Sequence, residues 1–250
     1  MKSLIKRVPT GIPGFDKLID GGFPENFVVL LAGTPGTGKS IFSLEYIYNG
    51  ATKFDENGIY ITLEQPVDDL KKQALMFGMD FDKLESEGKV IIEGVEELGV
   101  EVTIKRIKKL IQQIGAKRLV VDSLSGMQAL LSIHRELLAQ VGGSFSFTSD
   151  TPIRIIPDKE SLRKIIWDIF MNFKKLNCTT LIPSEIPVGT EFLSPDGVSE
   201  FACDGIIELR MVPVLKVVKR RLTVRKMRQT KMDPISRDFD FEDDGIVVEE

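Results

Sequence analysis

Residues 33–40 read Gly33-Thr34-Pro35-Gly36-Thr37-Gly38-Lys39-Ser40 and fit the pattern G-x-x-x-x-G-K-[ST]. The chemistry this spacing serves is the capture of a phosphate chain. Glycines let successive backbone N–H groups turn inward onto phosphate oxygens, Lys39 carries a cation to the β- and γ-phosphates, and Ser40 offers a hydroxyl to Mg²⁺. With Ile41, the residue that follows, the segment predicts a site for ATP and Mg²⁺.

Two further acids stand where such a site needs them. The run Arg118-Leu119-Val120-Val121-Asp122-Ser123 ends an apolar stretch in a carboxylate. An acid at the end of a buried strand beside the loop-bearing strand is expected to hold Mg²⁺, here through a bound water because that ion keeps much of its hydration. Val90-Ile91-Ile92-Glu93 also ends in an acid, but a glycine follows it and its lead-in is less apolar, so it is the weaker match. Hydrolysis also needs a group that directs the attacking water, and the apolar run 58–63 leads into Glu64-Gln65-Pro66. Glu64 is the catalytic candidate.

The elements that must position these residues alternate. Residues 27–31, 58–63, 90–92, 119–121 and 179–182 read as buried strands, the first running into the glycine loop and a helix with Ile41, Leu44, Tyr48 and Ala51 running out of it. The helix dipole then faces the anion. Further helices are predicted from Pro66 to the stop at Gly78, over 101–114 with Ile104, Ile107, Ile111 and Ile114 in register, and over 162–176. After Phe201 the pattern changes to strands without helices, at 205–211, 214–218, 222–224, 235–241 and 246–248. The fold class expected is therefore α/β, with a mostly parallel central sheet flanked by helices and antiparallel strands at the C-terminal end. The whole of 1–250 reads as one domain, with 125–158, which holds a helical stretch and then Gly142-Gly143, as a candidate mobile segment.

No apolar run approaches the ~18 residues that span a bilayer, so a soluble, cytoplasmic protein with no membrane partner is expected. Cys178 and Cys203 show no metal-ligand spacing and read as reduced thiols. A net charge of -4 argues against wholesale nucleic-acid binding. The charge is unevenly placed: residues 216–231 carry eight basic side chains and no acid, and 238–250 carry seven acids. Such blocks read either as strand faces that neutralise one another or as an interface. The lone His134 reads as structural, and Trp167 as core or interface rather than a base-stacking platform.

A resemblance now covers nearly the whole chain. Pro9-Thr10-Gly11-Ile12-Pro13-Gly14-Phe15-Asp16-Lys17-Leu18, Gly21-Gly22 with Pro24, residues 33–40, Thr62-Leu63-Glu64, Val121-Asp122-Ser123 and Gly245-Ile246 together resemble the KaiC-like branch of the RecA superfamily. The resemblance implies a RecA-like ATPase that assembles as a homo-oligomeric ring, commonly a hexamer, with ATP at subunit boundaries. It also implies a polar sensor at Ser184-Glu185 and a role in trans for Lys226 and Arg228, which would reach the γ-phosphate held by a neighbouring copy. Where the family has two adjacent glutamates this chain has Glu64 and Gln65, which leaves Glu64 alone; and with one phosphate loop, the clock and autokinase behaviour of two-domain members is not carried over.

Three functions remain open on this reading. The first is a Mg²⁺-dependent ATPase that works as an oligomeric, nucleotide-driven switch. A nucleotide-gated DNA-binding protein of recombination or repair is the second, favoured by the basic block but lacking interleaved aromatics. The third is a low-turnover signalling scaffold with a protein partner.

Overall fold

All five apolar runs become neighbouring strands of one sheet in the computed structural model of the chain, which describes residues 5–95, 99–128, 159–187 and 189–249. Strands β1 (Arg7–Val8) and β2 (Phe23–Pro24) form a separate two-stranded ribbon around a short 3₁₀ turn, Asp16–Ile19. The main sheet then collects β3 (Val28–Gly33), β4 (Gly58–Thr62), β5 (Val90–Gly94), β6 (Arg118–Asp122), β7 (Thr179–Glu185), β8 (Gly205–Val214), β9 (Val217–Met227), β10 (Arg237–Glu242) and β11 (Gly245–Val248). The helices are α1 (Lys39–Lys53), α2 (Val67–Leu75), α3 (Phe81–Ser86), α4 (Val100–Ile114), α5 (Lys159–Lys174) and α6 (Ser199–Ala202). A further helical turn begins at residue 124, while 129–158, which hold His134 and most of the candidate mobile segment, lie outside the described residues.

Strand order is β11-β10-β9-β8-β3-β7-β6-β4-β5, parallel from β8 to β5 and antiparallel from β8 to β11. This is the α/β architecture expected, with one correction that matters for the site. β6 is not beside β3, because β7 pairs with both and stands between them. Along β3 the side chains alternate, Val29 and Leu31 packing with Phe42, Tyr46 and Ile47 of α1, and Val28, Leu30 and Ala32 packing with α4 and α5 through Ile107, Ile166 and Phe170. Both faces of the parallel half are therefore covered, as near-continuous apolar strands require.

The C-terminal strands differ from the sequence expectation at their bounds, β8 running on to Val214 and β10 starting only at Arg237, and most of all in one place. Residues 214–218 and 222–224 are not two strands, since β9 runs unbroken over Val217–Met227 and the chain turns at Leu215, which takes a positive φ of 56°. Three successive charges, Lys219-Arg220-Arg221, argue for a break on sequence grounds. Pairing removes that reason: Asp238 of β10 lies opposite Arg221 and bonds Lys219 and Arg221 at 2.9 Å each, and the Arg220 guanidinium covers the Phe241 ring at 4.4 Å. Of the two readings of the charge blocks, mutual neutralisation describes this part of them. Helix α2 also starts one residue later than expected, with Pro66 as its N-cap, and Trp167 is half exposed rather than core.

Helix α1 is locked at its far end by a buried cation. Arg118, the first residue of β6, has no exposed surface; its Nε donates to Glu56 Oε2 at 2.8 Å and its Nη1 to the Tyr46 carbonyl at 2.9 Å. The guanidinium carbon lies 4.9 Å from the Tyr46 ring and 5.1 Å from that of Phe54. Its stem passes so close to α1 that a Cβ on Gly50 would sit 2.5 Å from Arg118 Cδ, which explains a glycine inside a helix that otherwise disfavours it. A second tie, Glu45, is also buried and accepts the Ile246 N–H at 2.9 Å, joining α1 to β11.

Two predictions follow from these ties. Arg118→Ala leaves the Tyr46 carbonyl and the Glu56 carboxylate without their partner and should destabilise the chain by about 3–5 kcal/mol in urea unfolding. A loss under 1 kcal/mol would remove the clamp. For Glu45, burial pushes the carboxyl from an ordinary 4.5 up to about 7, against the opposing pull of the Ile246 N–H and Lys53. The native chain therefore holds this proton to higher pH than the unfolded chain, and stability from this group rises as pH falls from about 7 towards 4.5. Glu45→Gln should be more stable than the parent at pH 8 and lose that advantage near pH 5 in thermal unfolding; equal gains at both values would show that ionisation is not the cause.

Candidate functional site

At the C-terminal ends of the parallel strands the backbone of residues 33–38 folds into an open loop before α1. Gly36 and Gly38 take φ of 79° and 103°, a left-handed conformation that glycine adopts without strain. Gly38 is the N-cap of α1 and offers no side chain to the helix end, and the first turn holds no acid. The leading N–H groups of Lys39, Ser40 and Ile41 therefore point out of the helix towards the loop. Thr37 folds back, its hydroxyl donating to the Thr34 carbonyl at 2.8 Å, and Lys39 Nζ donates to the carbonyls of Gly33 at 2.8 Å and Thr34 at 3.2 Å.

Three strand ends bring acids to this lysine. Burial lowers the pKa of Lys39, and Glu185, Asp122 and Glu64, in that order of influence, act against the lowering. Asp122 ends β6 and Glu64 follows β4, whose register sets Thr62 opposite Asp122. Glu185 ends β7 opposite Gly33. The structure thus brings Glu64 and Asp122 near Lys39, as the sequence led one to expect, together with Glu185, which the resemblance had set beside the γ-phosphate; β7, not β6, is the neighbour of β3. Glu93, the rival acid, is held away from the site by a two-bond clasp from Arg106 at 2.7 Å each.

Several contacts here were not visible in the sequence. Ser123 Oγ donates to the Glu64 carboxylate, which is otherwise exposed. Tyr60 donates to Asp122 Oδ2 at 2.5 Å from a ring with no exposed surface. Asp122 is itself buried, and that burial raises its pKa while the Tyr60 hydrogen bond pulls the other way. Ser184, where the resemblance implied a sensor, is fully buried with a hydroxyl that bonds nothing among the described residues. On the other flank Phe241 presses on the loop, so that a Cβ on Gly38 would lie 2.5 Å from its ring, with Phe77 packed behind it and Arg220 stacked above it. The Nε of Arg220 is buried and bonds nothing among the described residues. Tyr60 is not among the residues expected from the sequence; its hydroxyl, two residues before the end of an aliphatic strand, is the one signal that could have marked it.

Lys226 and Arg228 are not part of this cluster. Lys226 Nζ donates to the carbonyls of Cys203 at 2.7 Å and Glu200 at 3.0 Å, and Arg228 Nη1 donates to Asp204 Oδ1 at 3.2 Å. They share one side, as the strand alternation implies, with a bulge opposite Ile206/Ile207 between the two ladders. Met227 is level with Gly205 and so with Val29, four strand residues short of Gly33. At ~3.3 Å per residue that is about 13 Å below the chain's own loop, out of reach for a γ-phosphate held there.

Ser40 and Asp122 make a fitting donor set for Mg²⁺, being hard oxygen groups at one end of the loop. Among the described residues no group of three or more His, Cys, Asp or Glu forms a cage for an ion. A cation at this place would need waters and phosphate oxygens to complete its shell, which is how Mg²⁺ is usually held. Among the described residues no helix is long and apolar enough to cross a membrane.

Comparison with known proteins agrees with this geometry. A family profile described as "ATPase: KaiC" matches residues 8–143 and 149–250. A UPF0273 protein of Methanocaldococcus jannaschii is 34% identical over 98% of this chain and 96% of its own length, and one of Thermotoga maritima is 34% identical over 98% and 96%. The circadian clock oscillator protein KaiC of Prochlorococcus marinus is 31% identical over 99% of this chain, which spans 46% of that protein. The crystal structure of a KaiC-like protein from Pyrococcus horikoshii superposes with a TM-score of 0.80 at 33% identity, covering 98% of this chain and all of that one. With a RecA-like sheet, the G-x-x-x-x-G-K-S sequence at 33–40 and a profile match over nearly its whole length, the chain belongs to the KaiC ATPase family.

Proposed function

We propose that this chain binds ATP with Mg²⁺ at residues 33–41 and hydrolyses it, acting as a homo-oligomer in which hydrolysis switches the shape of the assembly. The observation that carries this reading is the convergence of Glu64, Asp122 and Glu185 on Lys39 at the N-terminus of α1. Lys39 lies within the loop, where its ammonium would exchange carbonyl partners for phosphate oxygens. The N–H groups of the first turn of α1 receive the anion. Ser40 and Asp122 would hold Mg²⁺, which when bound offsets the charge of the phosphoryl oxygens. Glu64, held by Ser123, orients a water and accepts its proton as the new P–O bond to the γ-phosphorus forms and the bond to the β–γ bridging oxygen breaks, with ADP as the leaving group. Ser184 has a buried hydroxyl free to report the γ-phosphate.

Two facts favour this reading over DNA binding. Lys219 and Arg221, at the centre of the basic block, are paired to Asp238, and Arg220 is turned onto Phe241. Arg228 and Lys226 point to the opposite end of the sheet from their own loop, which suits a partner's phosphate rather than their own. A cation delivered by a neighbour can supply about 10³-fold or more in phosphoryl transfer, and it makes turnover depend on assembly.

Glu64→Gln should keep ATP affinity within a few-fold and lower steady-state phosphate release by roughly 10²-fold or more, while Lys39→Ala abolishes tight ATP binding with the fold intact. Near-normal turnover of Glu64→Gln would transfer the water-directing role elsewhere, and unchanged ATP affinity of Lys39→Ala would end the phosphate-loop reading.

The trans role is tested by mixing. Arg228→Ala and Lys39→Ala are each expected to be inactive, but in a co-assembled mixture some boundaries join an intact loop to an intact Arg228 and should recover activity. A mixture as inactive as its parents despite proven co-assembly, or full turnover by Arg228→Ala alone, means the cation does not act across subunits.

A further inference from the structure

Tyr60 is the least expected member of the site. Its ring is packed in the α1-side core with Val29, Leu31, Ile47 and Val120, and it has no exposed surface. In the parallel register of β4 and β6 it lies opposite Val120, with Thr62 opposite Asp122. Tyr60 and Asp122 are thus diagonal neighbours on one face of the sheet, a separation that a long aromatic side chain bridges. The bridge is made by the hydroxyl, which donates to Asp122 Oδ2 at 2.5 Å. A phenol anchored in a packed core has little freedom to leave its partner.

The placement matters because Asp122 has a competing attraction. It is a buried carboxylate within electrostatic range of the Lys39 ammonium, and in a poorly hydrated setting such a pair closes readily. Were Asp122 to swing onto Lys39, one group would lose its cation-holding role and the other its phosphate. We propose that Tyr60 is a positioning residue that prevents this: by occupying Oδ2 it fixes the carboxylate rotamer, keeps Oδ1 for the cation's hydration shell and leaves Lys39 to the phosphates. The inference rests on the nucleotide and Mg²⁺ reading above, and it assigns to one hydroxyl of the core a role in metal affinity rather than in nucleotide affinity. Hydrogen-bond partners of this outer kind change metal affinity by about 10–100-fold when removed.

The test is Tyr60→Phe, which removes one oxygen and keeps the ring. Mn²⁺ serves as the probe, counted by electron paramagnetic resonance on the ADP complex, with ADP affinity measured separately in EDTA and unfolding of the nucleotide-free chain followed by heat. The expected result is Mn²⁺ affinity lowered about tenfold with metal-free ADP affinity within twofold of the parent. In an Asp122→Asn background the same Tyr60→Phe change should add nothing further, because the hydroxyl acts through that carboxylate. Mn²⁺ affinity within twofold of the parent overturns the proposal, as does an equal loss of metal-free ADP affinity or a tenfold loss that persists in Asp122→Asn. A Tyr60→Phe chain that does not fold assigns the hydroxyl to stability and overturns it too. If the parent chain itself shows no metal-dependent nucleotide binding, the failure lies in the proposed function and not in Tyr60.

Discussion

A single buried guanidinium sets the frame in which the site is built. Arg118 lies under Gly50 with its charge placed against Glu56 and the Tyr46 carbonyl, and it cannot move without breaking all of these contacts together. Burying a cation is costly unless it is paired and hydrogen-bonded, so the arrangement tolerates only one position for the C-terminal half of α1. Fixing the far end of a rigid 15-residue helix also fixes where its near end points. The orientation of the loop at 33–38 is thus inherited from a residue at the opposite, N-terminal end of the parallel strands.

At the near end the problem is reversed. Three acids share one lysine, and a fully collapsed cluster would satisfy the charges while closing the place where phosphate belongs. Two of the acids instead have a restraint of their own, Asp122 in Tyr60 and Glu64 in Ser123, while Glu185 stands exposed at the end of β7. The neutral hydroxyls hold the carboxylates apart without adding charge. Lys39 meanwhile rests on loop carbonyls, partners far weaker than a carboxylate and readily exchanged.

Much of this was legible in the sequence. The pattern at 33–40 is local, with its glycines and lysine inside one short segment, so reading it required no knowledge of pairing. Asp122 and Glu64 could be named because apolar runs of strand length ended in them. What could not be read was anything set by strand order: that β7 separates β3 from β6, or that Phe241 lies on Gly38. The strand break placed near Lys219 failed for the same reason, since the acid that neutralises Arg221 sits seventeen residues on and is brought opposite only by the hairpin. The turn at Leu215 escaped notice because no glycine or asparagine marks it.

The contact between α1 and the last strands has a consequence for the order in which the protein matures. Glu45 finds its partner Ile246 after 201 further residues, and Gly38 meets Phe241 at a similar remove. At typical synthesis rates of about 5–20 residues per second the loop emerges from the ribosome roughly 10–40 s before the strands that brace it. During that interval the parallel strands β4, β6 and β7 become available to pair around β3, but α1 lacks its closing wall. The loop proposed to hold nucleotide is therefore made well before the strands that brace it, and a nascent chain cannot present that loop in its final geometry until the last strands have folded back on it.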